Sequence, residues 1–162
     1  PHIYNYSALL LLIYILGFYG LQQGIIHRKD DGEPQERYSK SLLSPERKNA
    51  IKEELISYFL KEKPYLNPGL NMSMLAGKLN VGKHYLTEVL NTEIGKNFFQ
   101  FVNEYRIEAV KEQLADPKNL YSIEAIGYEC GFSSKSSFFT VFKKITRKTP
   151  LEYKNSLLKQ AK

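Results

Sequence analysis

The first pattern in the chain is a long stretch without charged side chains, from Ile3 to Ile26. Its centre, from Ala8 to Leu21, is a continuous apolar run. The 24 residues of the stretch would extend about 36 Å as a helix, enough for a hydrocarbon core of ~30 Å. His27-Arg28-Lys29 follows directly, and the positive-inside rule places that end in the cytoplasm. The pattern predicts a transmembrane helix over residues 1–27 that crosses a lipid bilayer through residues 3–26.

Two other interpretations fit the same stretch. Its strictly apolar run is only 14 residues long, a length that also suits a buried helix or the core of a signal peptide. A signal peptide needs a basic segment before its core and a small-residue cleavage site after it, and both are missing. A membrane span is therefore favoured. Because the first residue is Pro1 and not Met, we expect the span to end a longer membrane region.

A polar segment, residues 28–44, separates this stretch from the rest of the chain. It holds four basic and four acidic residues and contains Asp31-Gly32-Glu33-Pro34, which is turn chemistry without apolar periodicity. Beyond it, apolar residues recur at helical spacing, and no alternating strand pattern of convincing length occurs. The sequence therefore predicts a linker followed by an all-α domain over residues 45–162.

The all-α part opens with a strong helix-start signal. Ser44 can cap a helix, Pro45 suits the first helical position, and Glu46 complements the positive end of the helix dipole. The apolar stripe of this first helix consists of Ile51, Leu55, Phe59 and Leu60. A cluster of turn residues at 67–69 ends the segment.

A short helix, a tight turn and a longer helix follow, over about 72–79, 80–82 and 83–93. This order is typical of a helix-turn-helix motif, which we predict at about 71–94. Gly82 can cap the longer helix with little steric restriction. Many helical hairpins share the pattern, so a single copy is weak evidence for nucleic-acid binding.

A second copy strengthens this interpretation. The small and apolar positions Leu75-Ala76, Leu79, Val81, Leu86 and Leu90 recur as Ile126-Gly127, Cys130, Phe132, Phe138 and Phe142. The offset is 51 residues up to the turn and 52 after it. We therefore predict a second motif at about 122–147, with residues 97–115 as the helix that joins the two. Two recognition helices about 34 Å apart suit successive major-groove segments of double-stranded DNA.

The charge distribution supports a polyanionic partner for this domain. The net charge is +6, and the whole excess lies in residues 45–162, where 19 basic residues stand against 13 acidic ones. Residues 133–148 hold five basic side chains and no acidic one, whereas residues 81–94 hold one lysine and two glutamates. We expect the second motif to supply more of the salt-dependent attraction to phosphate. A merely solvated basic face is the alternative.

Composition also argues against several chemistries. Cys130 is the single cysteine, which rules out an intramolecular disulfide and a multi-cysteine zinc site. The three histidines are scattered, and no glycine-rich phosphate loop or nucleophile motif occurs. We therefore predict no catalytic residue, no metal and no cofactor. This disfavours the alternative of a membrane-bound enzyme whose helical tail docks a partner. Cys130 follows Ile123 and Ile126 at helical spacing, which predicts a buried structural thiol.

Several motifs identify a family resemblance. The segments 103–109, 126–139, 141–144 and 149–153 resemble the signature of AraC/XylS-type transcriptional regulators, and the likeness extends from Ser44 to Leu158. It implies a seven-helix domain with two helix-turn-helix units. Each unit would place its third helix in the major groove.

Carried over by position, the resemblance implies a set of DNA-binding residues. In the first unit these are Lys83, His84, Thr87 and Glu88. In the second unit they are Lys135, Ser136, Ser137, Phe139 and Thr140, with phosphate contacts expected from Lys143, Lys144, Arg147 and Lys148. Lysine and serine can reach base edges, and threonine and phenylalanine can contact a thymine methyl group.

Two positions depart from the family pattern. Many relatives carry arginine where this chain has Glu88, which would either accept a hydrogen bond from cytosine or form an intramolecular pair; the pair is slightly favoured. Arg147 stands where the family usually has glycine, and a left-handed backbone there would cost arginine about 1 kcal/mol unless the turn differs.

Together these features predict a bacterial transcriptional regulator that is specific for a double-stranded DNA sequence. It would be tethered to the inner, cytoplasmic membrane with its DNA-binding domain in the cytoplasm. A homodimer and a contact with RNA polymerase are compatible with this prediction. The alternative is a soluble regulator of the same type whose apolar helix packs on a missing sensor domain.

Overall fold

The computed structural model describes residues 43–160 of the chain. Within this range the protein forms seven α-helices and no strand, as the sequence predicts. The helices are α1 (Pro45–Glu62), α2 (Met72–Lys78), α3 (Lys83–Val89), α4 (Phe98–Ala115), α5 (Ile123–Glu129), α6 (Lys135–Thr146) and α7 (Pro150–Gln160). A 3-10 turn (Pro64–Leu66) follows α1, and a π-helical turn (Leu90–Ile94) follows α3.

The predicted membrane segment, residues 1–27, lies outside the described residues, as does nearly all of the predicted linker. Among the helices within residues 43–160, none combines the length and the apolar character that crossing a bilayer requires. The tethering of the chain to a membrane therefore stays a prediction from the sequence.

The start of α1 has the predicted cap. The Ser44 hydroxyl accepts a hydrogen bond from the backbone N–H of Arg47 at 3.3 Å, and Pro45 occupies the first helical position. Ile51, Leu55 and Phe59 lie on the buried face, four residues apart. The prediction that Leu60 belongs to this apolar stripe is wrong, since its side chain is 64% exposed. Leu60 follows Phe59 by about 100° around the helix and so leaves the buried face.

Two hydrophobic clusters form the interior, and α4 contributes to both. Phe98, Phe101 and Val102, in its first half, pack into a cluster with α1, α2 and α3. Ile107, Val110 and Leu114, in its second half, pack with α5 and α6. The helix therefore passes from the core of one unit into the core of the other between residues 102 and 107.

The turns of the two helix-turn-helix units confirm the predicted repeat. The N–H of Val81 donates to the Ala76 carbonyl at 3.0 Å, and 51 residues later the N–H of Phe132 donates to the Gly127 carbonyl at 3.1 Å. Asn80, with φ 48°, and its counterpart Gly131, with φ 91°, both adopt the left-handed conformation that closes the turn. The two units share this backbone geometry.

One difference between the units has a steric cause. Ala76 in the first unit corresponds to Gly127 in the second, and Leu86 corresponds to Phe138. A β-carbon built on Gly127 would lie 2.6 Å from Cδ1 of Phe138, far inside van der Waals contact. The larger aromatic side chain on α6 therefore requires the smaller residue on α5.

Arg147 adopts the left-handed conformation considered from the sequence. It caps the C-terminus of α6 with φ 62°, close to the φ of 72° at Gly95, its counterpart after α3. The Arg147 N–H closes the helix by donating to the Lys143 carbonyl at 2.9 Å. An L-amino acid in this conformation pays a strain that glycine avoids.

We predict that Arg147→Gly stabilises the protein slightly. Relief of about 1–2 kcal/mol of left-handed strain exceeds the extra unfolded-state entropy of glycine, about 0.5–1 kcal/mol. The net gain of about 0.5 kcal/mol corresponds to a rise of ~2–4 °C in the melting temperature. Arg147→Ala is the matched control, because it removes the same side chain but keeps the strain. Equal melting temperatures for the two variants would contradict the argument.

Candidate nucleic-acid interface

The predicted contact residues of the first unit lie at the start of α3. Lys83 and His84 are exposed, while Thr87 is half-buried and its hydroxyl donates to the Lys83 carbonyl at 2.8 Å. The His84 imidazole packs against the Tyr85 ring, with 3.7 Å between ring centroids. Gly82 is the N-cap, as predicted. The first turn of α3 therefore presents one lysine, one histidine and part of one threonine to solvent.

Glu88 does not belong to this exposed surface. It is only 4% exposed, and its Oε1 lies 2.6 Å from Nζ of Lys48 on α1. A buried carboxylate requires a paired charge, and Lys48 supplies it. Of the two roles left open by the sequence, the intramolecular pair is confirmed. The assignment of Glu88 as a DNA-binding residue is wrong, because the carboxylate is turned into the protein.

The predicted contact residues of the second unit lie on the first two turns of α6. Ser136, Ser137 and Thr140 are exposed, and the Ser134 hydroxyl caps the helix by accepting from the Ser137 N–H at 3.3 Å. Phe139 is half-buried, with one edge against Phe138 of the core at 5.1 Å between centroids. This end of α6 presents hydroxyl groups and one aromatic face.

Lys135, the first residue of α6, has partners that the sequence did not indicate. Its ammonium group forms a salt bridge with Glu124 of α5 and lies 5.8 Å from the centroid of the Phe139 ring. Both members of the salt bridge are exposed, so the pair is weak and open to competition from another anion. The charge of Lys135 is nevertheless less available to a DNA phosphate than the absence of acidic residues from 133–148 suggests.

Four basic residues lie at the C-terminal end of α6 and just beyond it. This basic cluster consists of Lys143, Lys144, Arg147 and Lys148, all exposed. Its ammonium and guanidinium groups form no salt bridge with a carboxylate of the described residues. Lys148 donates to the Ser156 hydroxyl at 3.2 Å. The basic cluster therefore carries four positive charges with no ion-pair partner among the described residues.

One carboxylate, Glu152, lies near the basic cluster. Its pKa is lowered mainly by hydrogen bonds from the backbone and side chain of Thr149, and to a lesser degree by Lys143 and Lys148. The hydrogen bond from the Thr149 N–H, at 2.7 Å, holds the carboxylate at the start of α7. Glu152 therefore reduces the local positive potential without neutralising any one member of the cluster.

Arg106 on α4 contacts both units, a role that the sequence did not indicate. Its Nε donates to the Tyr65 carbonyl at 2.8 Å and its Nη2 to the Asn67 carbonyl at 3.0 Å. The guanidinium carbon also lies 5.7 Å from the centroid of the Phe132 ring. Burial lowers the pKa of the Arg106 guanidinium, but an arginine side chain stays protonated at neutral pH. The available signal was the position of Arg106 on the helix, four residues from both Val102 and Val110 and therefore on the buried apolar face of α4.

Cys130 is buried in the second core, as predicted. Burial, with smaller contributions from Glu129 and Glu112, raises the pKa of its thiol to about 11. The thiol is therefore neutral near pH 7 and unfavourable as a nucleophile. Its position is that of a small apolar side chain in the core.

The chain is similar to several known proteins. A family model described as "Helix-turn-helix domain" matches residues 75–156. An uncharacterised HTH-type transcriptional regulator of Pseudoalteromonas carrageenovora is 32% identical over 95 residues, which cover 59% of this chain and 54% of that protein. The uncharacterised transcriptional regulatory protein YesN of Bacillus subtilis is 32% identical over 90 residues, which cover 54% of this chain and 24% of YesN.

A solved structure is similar over most of the described range. The C-terminal domain of AraT, a response regulator from Geobacillus stearothermophilus, superposes with a TM-score of 0.58 and 27% identity, covering 72% of this chain and 88% of that one. The chain thus spans about half the length of one of these curated relatives and about a quarter of the other.

Proposed function

The chain belongs to the AraC-type helix-turn-helix domain family, and from this membership we propose that residues 45–162 bind double-stranded DNA and regulate transcription. The observation that carries the proposal is the repeated turn. In both units a residue with left-handed backbone conformation closes the turn, and an equivalent backbone hydrogen bond spans it. Each unit then presents the start of its third helix, α3 or α6, to solvent. We propose that α3 and α6 enter two adjacent major-groove segments.

The two units would contribute differently to binding. In the second, the basic cluster would contact phosphates and set the register, while Ser136, Ser137 and Thr140 face the base edges. In the first, α3 carries a single lysine and its only carboxylate is paired with Lys48, so shape and hydrogen bonds would dominate. Most of the salt dependence of affinity would therefore come from the second unit.

We also propose that the protein is tethered to the cytoplasmic membrane, with this domain in the cytoplasm. The support is the uncharged stretch of residues 3–26 and the basic residues that follow it. Alkaline extraction of bacterial membranes tests the tether, because a true span stays in the membrane pellet. Recovery of the protein in the supernatant would contradict it. A homodimer and a contact with RNA polymerase stay predictions.

Selection from a randomised duplex library tests DNA recognition. The full chain, purified in detergent, is incubated with the library, and the retained duplexes are sequenced. We expect two enriched sequence blocks with centres about one helical turn apart, ~10–10.5 bp. Failure to enrich any sequence, or retention that does not change with salt concentration, would contradict the proposed function.

A further inference from the structure

We propose that Arg106 is a positioning residue that fixes the separation and orientation of the two recognition helices, α3 and α6. The proposal rests on the proposed function, because a fixed separation matters only if both helices contact one duplex. Arg106 lies on α4 between Val102, which belongs to the first core, and Ile107, which belongs to the second. Arg106 therefore lies at the boundary between the two cores, where a change in its contacts would move one unit relative to the other.

On the side of the first unit, Arg106 holds the segment that follows α1. The two carbonyls that accept from its guanidinium group belong to Tyr65 and Asn67. The Tyr65 ring is buried, stacking on Phe59 at 6.1 Å and on Tyr105 at 5.5 Å between centroids. Because the ring is anchored in the first core, the carbonyls are a rigid attachment point.

On the side of the second unit, the same guanidinium group faces the turn between α5 and α6. It lies over the Phe132 ring, which in turn packs against Phe138 of α6 at 5.3 Å between centroids. A β-carbon on Gly131 would lie 3.0 Å from Nε of Arg106. Consecutive contacts therefore connect Tyr65 in the first core to Arg106, Arg106 to Phe132, and Phe132 to the recognition helix α6.

This role requires arginine and not merely a positive charge. The planar guanidinium group donates from two nitrogens to two carbonyls and presents a flat face to an aromatic ring at the same time. A lysine ammonium group can satisfy one of the carbonyls but has no flat face for Phe132. Arg106→Lys is therefore the conservative test of geometry at constant charge.

The first test uses the duplex selection. Wild type is expected to enrich two sequence blocks at one separation. For Arg106→Lys we expect the same two blocks at a broader range of separations, because each unit keeps its own contact residues. Affinity for the wild-type optimum should fall by at least about tenfold, the lower end of what one lost hydrogen bond to a charged group contributes. Arg47→Lys, an exposed substitution on α1, is the matched control and should change neither quantity.

The second test needs no DNA and uses the full chain in detergent. Spin labels on the exposed positions Glu93→Cys and Asn155→Cys report the distance between the units. The first label lies in the turn after α3, and the second lies on α7, whose Tyr153 packs on α6. The native Cys130 is buried and its thiol pKa is raised, so it labels poorly. We expect a narrow distance distribution in wild type and a broader one in Arg106→Lys, at a temperature where circular dichroism shows that both variants are folded.

The outcomes separate this inference from the proposed function. Two results would overturn the inference, because each would show that Arg106 merely stabilises the fold. One is an unchanged distance distribution in Arg106→Lys. The other is a variant that keeps the single wild-type separation of the sequence blocks and shows only a lower melting temperature. If Arg106→Lys broadens the distance distribution but the wild-type protein enriches no duplex, the positioning role of Arg106 is supported and DNA recognition is contradicted.

Discussion

Replacing Gly131 by alanine is expected to lower the free energy of unfolding by more than ~3 kcal/mol. The residue has φ 91°, which is strained for any residue with a β-carbon. That β-carbon would also lie 2.2 Å from the Tyr65 carbonyl oxygen and 3.0 Å from the Leu66 carbonyl carbon. Because both contacts are with backbone, no side-chain rotation can relieve them. Urea denaturation of wild type and variant measures the loss.

Gly95→Ala is the control for this prediction. Gly95 also has a positive φ, 72°, but no heavy atom lies within 4 Å of its β-carbon position. Alanine there pays the left-handed strain of about 1–2 kcal/mol, partly offset by its lower unfolded-state entropy, so the expected net loss is only about 0.5–1 kcal/mol. The difference between the two variants therefore measures the close approach of the second turn to the first unit. Equal losses in the free energy of unfolding would mean that the backbone at Tyr65 and Leu66 can move away from residue 131 at little cost.

The elements of the fold could be predicted because their signals are local. Ser44 and Pro45 fix the start of α1 within one turn of the chain, and the joining helix, expected over residues 97–115, is observed over Phe98–Ala115. The repeat was also visible, since it is a spacing of residue types along the chain. Each of these signals depends on neighbours that are close in sequence.

The pairings that shape the candidate interface could not be predicted. Glu88 and Lys48 are 40 residues apart, and Arg106 contacts the Tyr65 carbonyl 41 residues before it. A sequence shows that such groups exist but not which partner the fold brings to them. Counting charges over residues 133–148 alone likewise overlooked Glu124, which α5 places beside Lys135.

Exposure is what the structure adds to the predicted DNA-binding residues. Lys83, His84 and the basic cluster are accessible to a large anion, while Glu88 is not and Phe139 is only partly so. Contact of the accessible residues with DNA stays a prediction. The recognition surface on α3 is smaller than the sequence suggested, which shifts the expected electrostatic contribution further toward α6.

Simultaneous replacement of Lys143 and Lys144 by alanine is expected to weaken binding to every duplex, whatever its sequence. Both residues are exposed in the last turn of α6 and form no salt bridge within the described residues, so their charge is available to phosphate. If each contacts one phosphate, the slope of log affinity against log salt concentration becomes shallower by about 1.8. The same contacts correspond to a loss of about 30-fold in affinity at 0.15 M salt. Fluorescence anisotropy over a salt series measures both quantities.

The control must remove the same charge from a different surface. Lys61 at the end of α1 and Lys118 in the loop after α4 are also exposed, so Lys61→Ala/Lys118→Ala lowers the net charge by the same amount. A long-range effect of net charge would weaken binding equally in both double variants, whereas direct phosphate contact shifts the slope only for the pair on α6. The enriched sequence blocks should stay the same, because phosphate contacts carry no base information. An unchanged slope in Lys143→Ala/Lys144→Ala would remove α6 from the phosphate-binding surface, since counterion release depends on the number of phosphates contacted.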